Sequence, residues 1–364
     1  MPSSDTATLP ALDVPALARR AALALGLALV AVAVLLVAGG PLQAFADALQ
    51  RAIEADPRWI GAAAAFELLA FAGYVALLWL VGRRATRRLG LRESAEVALG
   101  GAAATRLLPT GGAGGAALTV WAFRRAGLDG RAAARTLLAF LVVLYSVFLI
   151  SVAVAGGLLA LGLASGGGSL ALTALPALSA VVVIAGGLTL ALRRPGTTTT
   201  GGAVRDAIAL VRSGDPRVLG AIAWWAFDGA VLWAMLHALG APPEITVLVL
   251  AYFLGQIANT VPVPGAASGG MVGVLLAFGV EADLALASVL AYRSVAIWLP
   301  APLGLVALGG LRKTFARWGE EDARVPPAPA PTIPPGPTGE RSARHGSRLS
   351  RRSRPAAELA AQGA

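Results

Sequence analysis

Long apolar runs separated by short arginine-rich segments dominate this chain. Six of them are long enough, at roughly 20 helical residues, to cross a hydrocarbon layer. They lie at about 21–38, 59–82, 136–163, 170–192, 218–240 and 284–311. Two further apolar stretches are too short to cross alone: 93–108 followed by 114–126, and 244–260 followed by 269–279. Each is interrupted by a Pro/Gly loop, PTGGAGG at 109–115 and PVPGAASGG at 262–270. Such a break frees backbone N–H and C=O groups that hydrocarbon cannot satisfy, so the loop must be buried in protein or line a wet cavity. The pattern predicts an all-α membrane bundle of six spans with two re-entrant hairpins.

The two hairpins resemble each other. Pro109, Gly114, Gly115, Ala122 and Phe123 match Pro264, Gly269, Gly270, Ala277 and Phe278 at one constant offset of 155. Each hairpin follows two spans and precedes a third, which divides the membrane body (19–318) into units at about 19–163 and 170–318. The first unit starts on one side of the membrane and the second on the other. Inverted repeats with broken helices are a recurring transporter plan.

Charge orients this arrangement. Basic residues cluster at 83–92, 124–135, 193–217 and 312–317, seventeen in all, whereas the opposite loops hold only Arg51 and Arg58. Cytoplasmic loops carry the excess of Lys and Arg, so the asymmetry predicts both termini in the cytoplasm of an inner-membrane protein. The run after Arg19–Arg20 is longer than a signal-peptide core and reads as a retained first helix behind a short cytoplasmic segment, 1–18. From 319 to 364 the chain turns Pro- and Arg-rich without apolar periodicity, which predicts a disordered cytoplasmic tail. Six of the ten excess positive charges fall within 341–354 of that tail.

Composition agrees and excludes several functions. Of 364 residues 57% are hydrophobic and 14% charged, with a mean hydropathy of +0.72. Soluble domains carry about 25% charged residues. With no cysteine and two histidines there is no material for a Cys zinc site, thiol catalysis or a multi-His metal centre. The glycine loop at 111–115 lacks the Walker Lys-Ser/Thr, and no Ser/His/Asp set assembles. The expectation is a protein that is not an enzyme, with no cofactor, no metal and no nucleic-acid partner.

Charged residues inside a membrane are costly and default to functional candidates. Four qualify: Glu67, Arg106, Asp228 and Arg293. Glu67 and Asp228 fall in corresponding helices of the two units, with Arg106 and Arg293 as their natural partners. One reading is a polar cavity in which the arginines hold a phosphate, which guanidinium donors suit. Backbone N–H groups at the loops and half-helix starts would add donors. That set comprises Pro109, Gly111, Gly112, Gly114 and Gly115, with Pro262, Pro264, Gly265, Gly269 and Gly270 in the second loop. The other reading is that the four charges pair only with each other and fix helix register. His237 sits near the end of the fifth span, as an interfacial residue or a proton relay. Trp59, Trp224, Trp225 and Trp318 fit interfacial belts, while Trp121, Trp233 and Trp298 fit the bundle interior. Amphipathic stretches at 42–53 and 203–212 suit the membrane surface.

These residues carry a resemblance. Arg106-Leu-Leu-Pro109-Thr-Gly111-Gly112-Ala-Gly114-Gly115 with Phe123-Arg-Arg-Ala-Gly127 resembles the lysylphosphatidylglycerol synthase transmembrane-region family of flippase-like proteins. So do Trp225-Ala-Phe-Asp228, Val261-Pro262-Val-Pro264-Gly265, Tyr292-Arg293 and Trp298-Leu-Pro300 with Gly304, over roughly 20–315. One departure stands out: Ala266 and Ser268 replace glycines of the second loop, and Met271 stands where the family has an acid. The synthases carry a soluble aminoacyl-transferase domain after the membrane part, and the tail here is too short for one. The resemblance implies movement of a lipid, anionic or isoprenoid-phosphate linked, between leaflets. It leaves two alternatives: a small-solute secondary transporter, and a non-catalytic membrane partner of a cell-envelope glycosyltransferase or lipid-modifying enzyme.

Overall fold

The computed structural model describes residues 55–107, 113–193, 199–258 and 265–324. The apolar run at 21–38, the stretch at 42–53, both loop tips and the chain from 325 onward lie outside the described residues, as does the Arg106 side chain. Among the described residues there are eleven α-helices, one short 3-10 turn and no strand. Described residues up to Glu321 belong to one compact unit, and only the last turn of the final helix belongs to the second.

Helix α1 (Pro57–Ala85) starts where the Asp56 side chain accepts from the Arg58 N–H and Pro57 presets the first turn. A hairpin of short helices follows, α2 (Leu91–Leu107) and α3 (Ala113–Arg125), and then the long α4 (Gly130–Ala160), capped by Asp129. Helix α5 (Leu170–Arg193) and the amphipathic α6 (Thr199–Arg212) lead to the 3-10 turn Pro216–Leu219. The second half runs α7 (Gly220–Leu239), α8 (Ile245–Ala258), α9 (Ala266–Ala277), α10 (Ala282–Trp298) and α11 (Pro300–Arg324). Among the described residues, five helical runs are long and apolar enough to cross a bilayer: 57–85, 130–160, 170–192, 216–239 and 282–324.

At the centre α1 and α7 lie antiparallel. The Asp56 N–H donates to the Ala238 carbonyl at 3.2 Å at one end, Phe66 stacks on Phe227 midway, and Gly73 meets Gly220 and Ala223 at the other end. Around this pair the packing has a regular exchange. Helices α2 and α3 fold back on each other, as do α8 and α9; α3 packs on α4, as α9 does on α10; and α4 and α10 each touch both central helices. Across the halves, α4 meets α8 through Phe148 and Phe253, and α11 meets α3 through Trp121 and Phe315. Swapping 57–160 for 220–298 preserves the contacts within each half and those of α4 and α10 with the central pair, whereas the packing of α4 on α8 has no equally close counterpart between α10 and α2.

Two details place equivalent residues. Tyr74 and Asp228 each stand eleven residues before the ends of their helices, Ala85 and Leu239. Phe140 and Tyr292 each stand eleven residues after the N-caps Asp129 and Glu281. Tyr74 packs edge-on against Phe140 at 4.9 Å, and Tyr292 bonds Asp228. The second half therefore carries a polar contact where the first carries an aromatic one.

Several expectations change. The apolar run at 284–311 is not one uniform helix: it is part of a 43-residue helical run broken at Leu299–Pro300, because Pro300 has no N–H to give the preceding turn. At 1.5 Å per residue that run measures about 65 Å, twice a hydrocarbon core of about 30 Å. Its end runs through Glu320 to Arg324, so the segment just past 319 is helical. Trp225 and Trp318 are not at an interface but buried. The Trp225 indole N–H donates to the Leu144 carbonyl at 2.7 Å and needs no water. Trp298 does the reverse and is 73% exposed on the outer face of α10. Exposed apolar side chains concentrate on α5, where Leu178, Val182 and Leu192 are 64%, 69% and 77% exposed.

Candidate functional site

Helix α7, GAIAWWAFDGAVLWAMLHAL, is apolar on every side except at Asp228 and His237. A helix of that kind is buried all round, and Asp228 is 3% exposed. A carboxylate there persists only if hydrogen-bonded. Three donors converge on one oxygen, Oδ2. The Tyr252 hydroxyl donates from α8, the Tyr292 hydroxyl donates from α10 at 2.9 Å, and the Gln256 amide donates at 3.5 Å. Gln256 also donates to the Tyr292 oxygen at 3.1 Å, closing the knot. Tyr252 and Gln256 are four residues apart on α8 and so share one helical face. Three helices are tied together at this point.

Arg293 follows Tyr292 but points elsewhere, since successive residues on a helix diverge by about 100°. Its Nε donates to the Ser268 hydroxyl at 3.3 Å, in the first turn of α9. Gly265, the N-cap of α9, has a left-handed φ of 82° that glycine adopts without strain. The first intrahelical bond there runs from the Gly269 N–H to the Gly265 carbonyl at 2.8 Å. The N–H groups of 266–268 precede it and have no acceptor within the helix. Arg293 thus sits beside the positive end of a short helix.

Glu67 is fully buried on α1 and lies within electrostatic range of the Tyr292 hydroxyl. The structure therefore brings Glu67, Asp228 and Arg293 around Tyr292. The pairing expected between Asp228 and an arginine is replaced by two hydroxyls and an amide. His237 stays apart, nine residues or about 13 Å further along α7. It stacks on Trp59 at 4.5 Å and meets the edge of Trp233 at 4.4 Å.

The first hairpin is closed differently. The Gly115 N–H donates to Thr105 Oγ1 at 3.1 Å, and Thr119 Oγ1 donates to the Gly115 carbonyl at 2.8 Å. That N–H, expected as an anion donor, is engaged inside the hairpin. A Cβ at Gly115 would lie 2.8 Å from the Gly101 carbonyl, so the residue is fixed by close packing of the arms. Gly114 lies in the same turn. In the second hairpin Gly270 faces Ala258 and Gly255, whereas Gly269 has open space around it. Met271, in place of the family's acid, is fully buried against Gly255 and fills the hairpin interior. Pro109, Gly111, Gly112, Pro262 and Pro264 lie outside the described residues.

Sequence reasoning passed over Tyr252, Gln256 and the carboxylates of α2. The signal for the first two was a polar pair four residues apart in an otherwise apolar helix. Glu96 is buried and accepts from Thr314 Oγ1 at 2.7 Å, while Glu93 meets Arg317 at 3.0 Å, so both tie α11 to the first hairpin. Arg135 and Asp206 join α4 to α6 through two bonds of 2.6 Å. At the start of α7, Arg217 binds Asp215 and lies over the Trp79 ring at 4.5 Å. Its side-chain and backbone donors hold the Asp215 carboxyl down to about 2. No group of three or more metal-ligating side chains gathers among the described residues.

Apolar helices of spanning length with a buried polar knot between them define an integral membrane protein. The chain belongs to the lysylphosphatidylglycerol synthase transmembrane-region family, whose family model matches residues 21–304. That stretch contains both hairpins, Asp228 and Arg293. Among curated proteins none matches it.

Proposed function

We propose that this protein moves an anionic or isoprenoid-phosphate-linked lipid between the leaflets of the inner membrane, without catalysing a covalent reaction. In this reading six spans and two re-entrant hairpins form inverted repeats about the α1/α7 pair, with both termini cytoplasmic. The matching contacts within the two halves and about the central pair support the repeat. The positive-inside asymmetry supports the orientation.

One observation carries the functional reading: Arg293 stands at the first turn of α9, against the polar knot of Asp228, Tyr252, Tyr292 and Gln256. A guanidinium binds phosphate through paired donors, and N–H groups at a helix start add to the same anion site. The headgroup binds there while the acyl chains remain in the bilayer. By sequence, Arg106, Pro109, Gly111 and Gly112 are the corresponding candidates for the headgroup in the first repeat. With no nucleotide motif in the chain, energy comes from a gradient or from downhill flow.

The test is reconstitution in liposomes with labelled lipids of anionic, zwitterionic and polyprenyl-phosphate headgroups. Faster transbilayer movement of the phosphate-bearing anionic lipids is the expected result. A folded protein that accelerates none of them contradicts the proposal. Flux of a water-soluble solute with no lipid movement would select the secondary-transporter alternative instead.

A further inference from the structure

Helix α5 lies along α4, and a Cβ at Gly156 would stand 2.6 Å from the Thr173 carbonyl oxygen and 3.1 Å from the Ala177 side chain. Among the described residues α10 packs on α1, α7 and α9, and nothing stands on it as α5 stands on α4. Positions on α4 and on the α10–α11 run correspond at the interval of 152 that separates Phe140 from Tyr292. Burial follows this interval over much of the length: Val152, Ala155 and Leu159 are buried, and so are Gly304, Ala307 and Leu311. It departs along one stripe. Leu138, Ser146, Ala153 and Gly157 are half-buried on α4, whereas Leu290, Trp298, Leu305 and Gly309 are exposed. Spacings of four, seven and eight residues put each set on one helical face. Gly156 and its α5 contacts border the first stripe, so the second is the same face without its cover.

We propose that the apolar run at 21–38 docks on this stripe, as the first half's counterpart of α5. The order along the chain agrees. An amphipathic stretch and then a central helix follow each: 42–53 and α1 in one half, α6 and α7 in the other. At the interval of 154 that separates Tyr74 from Asp228, 21–38 corresponds to 175–192, within α5. The inward face of α5 is formed by Ala177, Ala180, Ile184, Gly187 and Ala191, none of them exposed. Their counterparts are Leu23, Gly26, Val30, Ala33 and Val37, all apolar and two of them small. Small residues let helices in lipid approach closely enough to associate.

The described chain also begins where this docking requires. It starts at Ala55, and the Asp56 N–H bonds the Ala238 carbonyl at the end of α7. Ala241 and Pro243, just after α7, border one cavity with Glu281, the N-cap of α10. A single crossing that feeds α1 therefore arrives at the end where α10 starts, and runs antiparallel to α10 as α5 does to α4. Residues 39–54 extend to roughly 50 Å, ample to join the two places, and α10 itself touches α1. Arg293 precedes the exposed Ser294 at the edge of the stripe. The docked run thus forms a side wall of the candidate headgroup site.

This docking rests on the inverted repeat of the translocation reading, yet its test is readable in protein that moves no lipid. The chain has no cysteine, so pairs can be introduced cleanly. Leu305→Cys is combined with Gly26→Cys, and Trp298→Cys with Ala33→Cys, in the full chain. Membranes are oxidised with copper–phenanthroline, and disulfide-linked peptides are identified by mass spectrometry. Both pairs are expected to join within one chain. Ala28→Cys, whose α5 counterpart Val182 is exposed, is expected to join neither Leu305→Cys nor Trp298→Cys. A second measurement needs only single substitutions. A lipid-soluble maleimide should label Val182→Cys and leave Leu305→Cys unlabelled. Leu305→Cys that labels as readily as Val182→Cys overturns the docking, because lipid then covers the stripe. Links formed only between chains overturn it in favour of a second copy. Leu305→Cys joined to Val37→Cys instead of Gly26→Cys contradicts the antiparallel run.

Discussion

Replacing Gly220 by alanine probes the crossing of the two central helices. An added Cβ would lie 2.2 Å from the Gly73 carbonyl oxygen and 3.1 Å from its carbon. Ordinary contact for such atoms is roughly 3.5 Å, so α1 and α7 must part by about 1 Å at this point. Neither obstacle is a flexible side chain that could swing away. Overpacking of this kind costs about 1–3 kcal/mol, and alanine returns at most about 1 kcal/mol of helix preference over glycine. The net is a loss of up to about 2 kcal/mol. Gly73→Ala should cost less, because its nearest obstacles stand at 2.7 and 2.8 Å. Gly157→Ala on α4 should cost nothing, since nothing lies within 4 Å of its Cβ. Equilibrium unfolding in mixed micelles, followed by tryptophan emission, measures all three. Trp224, packed on Phe71 and Tyr74 beside the crossing, supplies a local signal. Equal stability of Gly220→Ala and Gly157→Ala would refute the close-packed crossing.

Acid unfolding tests the turn before α7. Arg217 holds Asp215 at about 2, below its ordinary 3.8, so the stabilisation is fully present above 3.8 and is lost as pH falls through about 2. Asp215→Asn should lower the melting temperature at neutral pH, where that stabilisation is fully present, and flatten this part of the acid limb, so that parent and variant converge below about pH 2. At Glu96, substitution by alanine leaves the buried Thr314 hydroxyl without its acceptor, which costs about 1–3 kcal/mol. Glu96→Gln keeps an acceptor and should lose less; proteolysis of α11 in detergent reports the difference.

The helical body was largely legible before any coordinates, because a bilayer-length apolar run has few other fates. The hairpins were legible for a related reason: Gly/Pro loops cut apolar stretches into pieces too short to cross. What the sequence could not supply was register. Asp228 and Arg293 invite pairing by sign, yet the donors that reach Asp228 depend on how α8 and α10 rotate against α7. That rotation brings Tyr252, Gln256 and Tyr292 inward and turns Arg293 toward Ser268. Trp225 misled for the same reason, since an indole suited to an interface is equally satisfied by the Leu144 carbonyl inside the bundle. Glu93 and Glu96 read as the start of a hairpin arm. Their partners Thr314 and Arg317 lie more than two hundred residues away, on the last helix.

A phosphate held at Arg293 is the centre of the proposed translocation, and its removal can be measured. Protein with Arg293→Gln and parent protein are reconstituted side by side, and transbilayer movement of an anionic and a zwitterionic phospholipid is followed by quenching of a headgroup label. Fast movement of the anionic lipid is expected in the parent protein and its loss in Arg293→Gln, with the purified variant still folded. Undiminished movement of the anionic lipid in Arg293→Gln would contradict it.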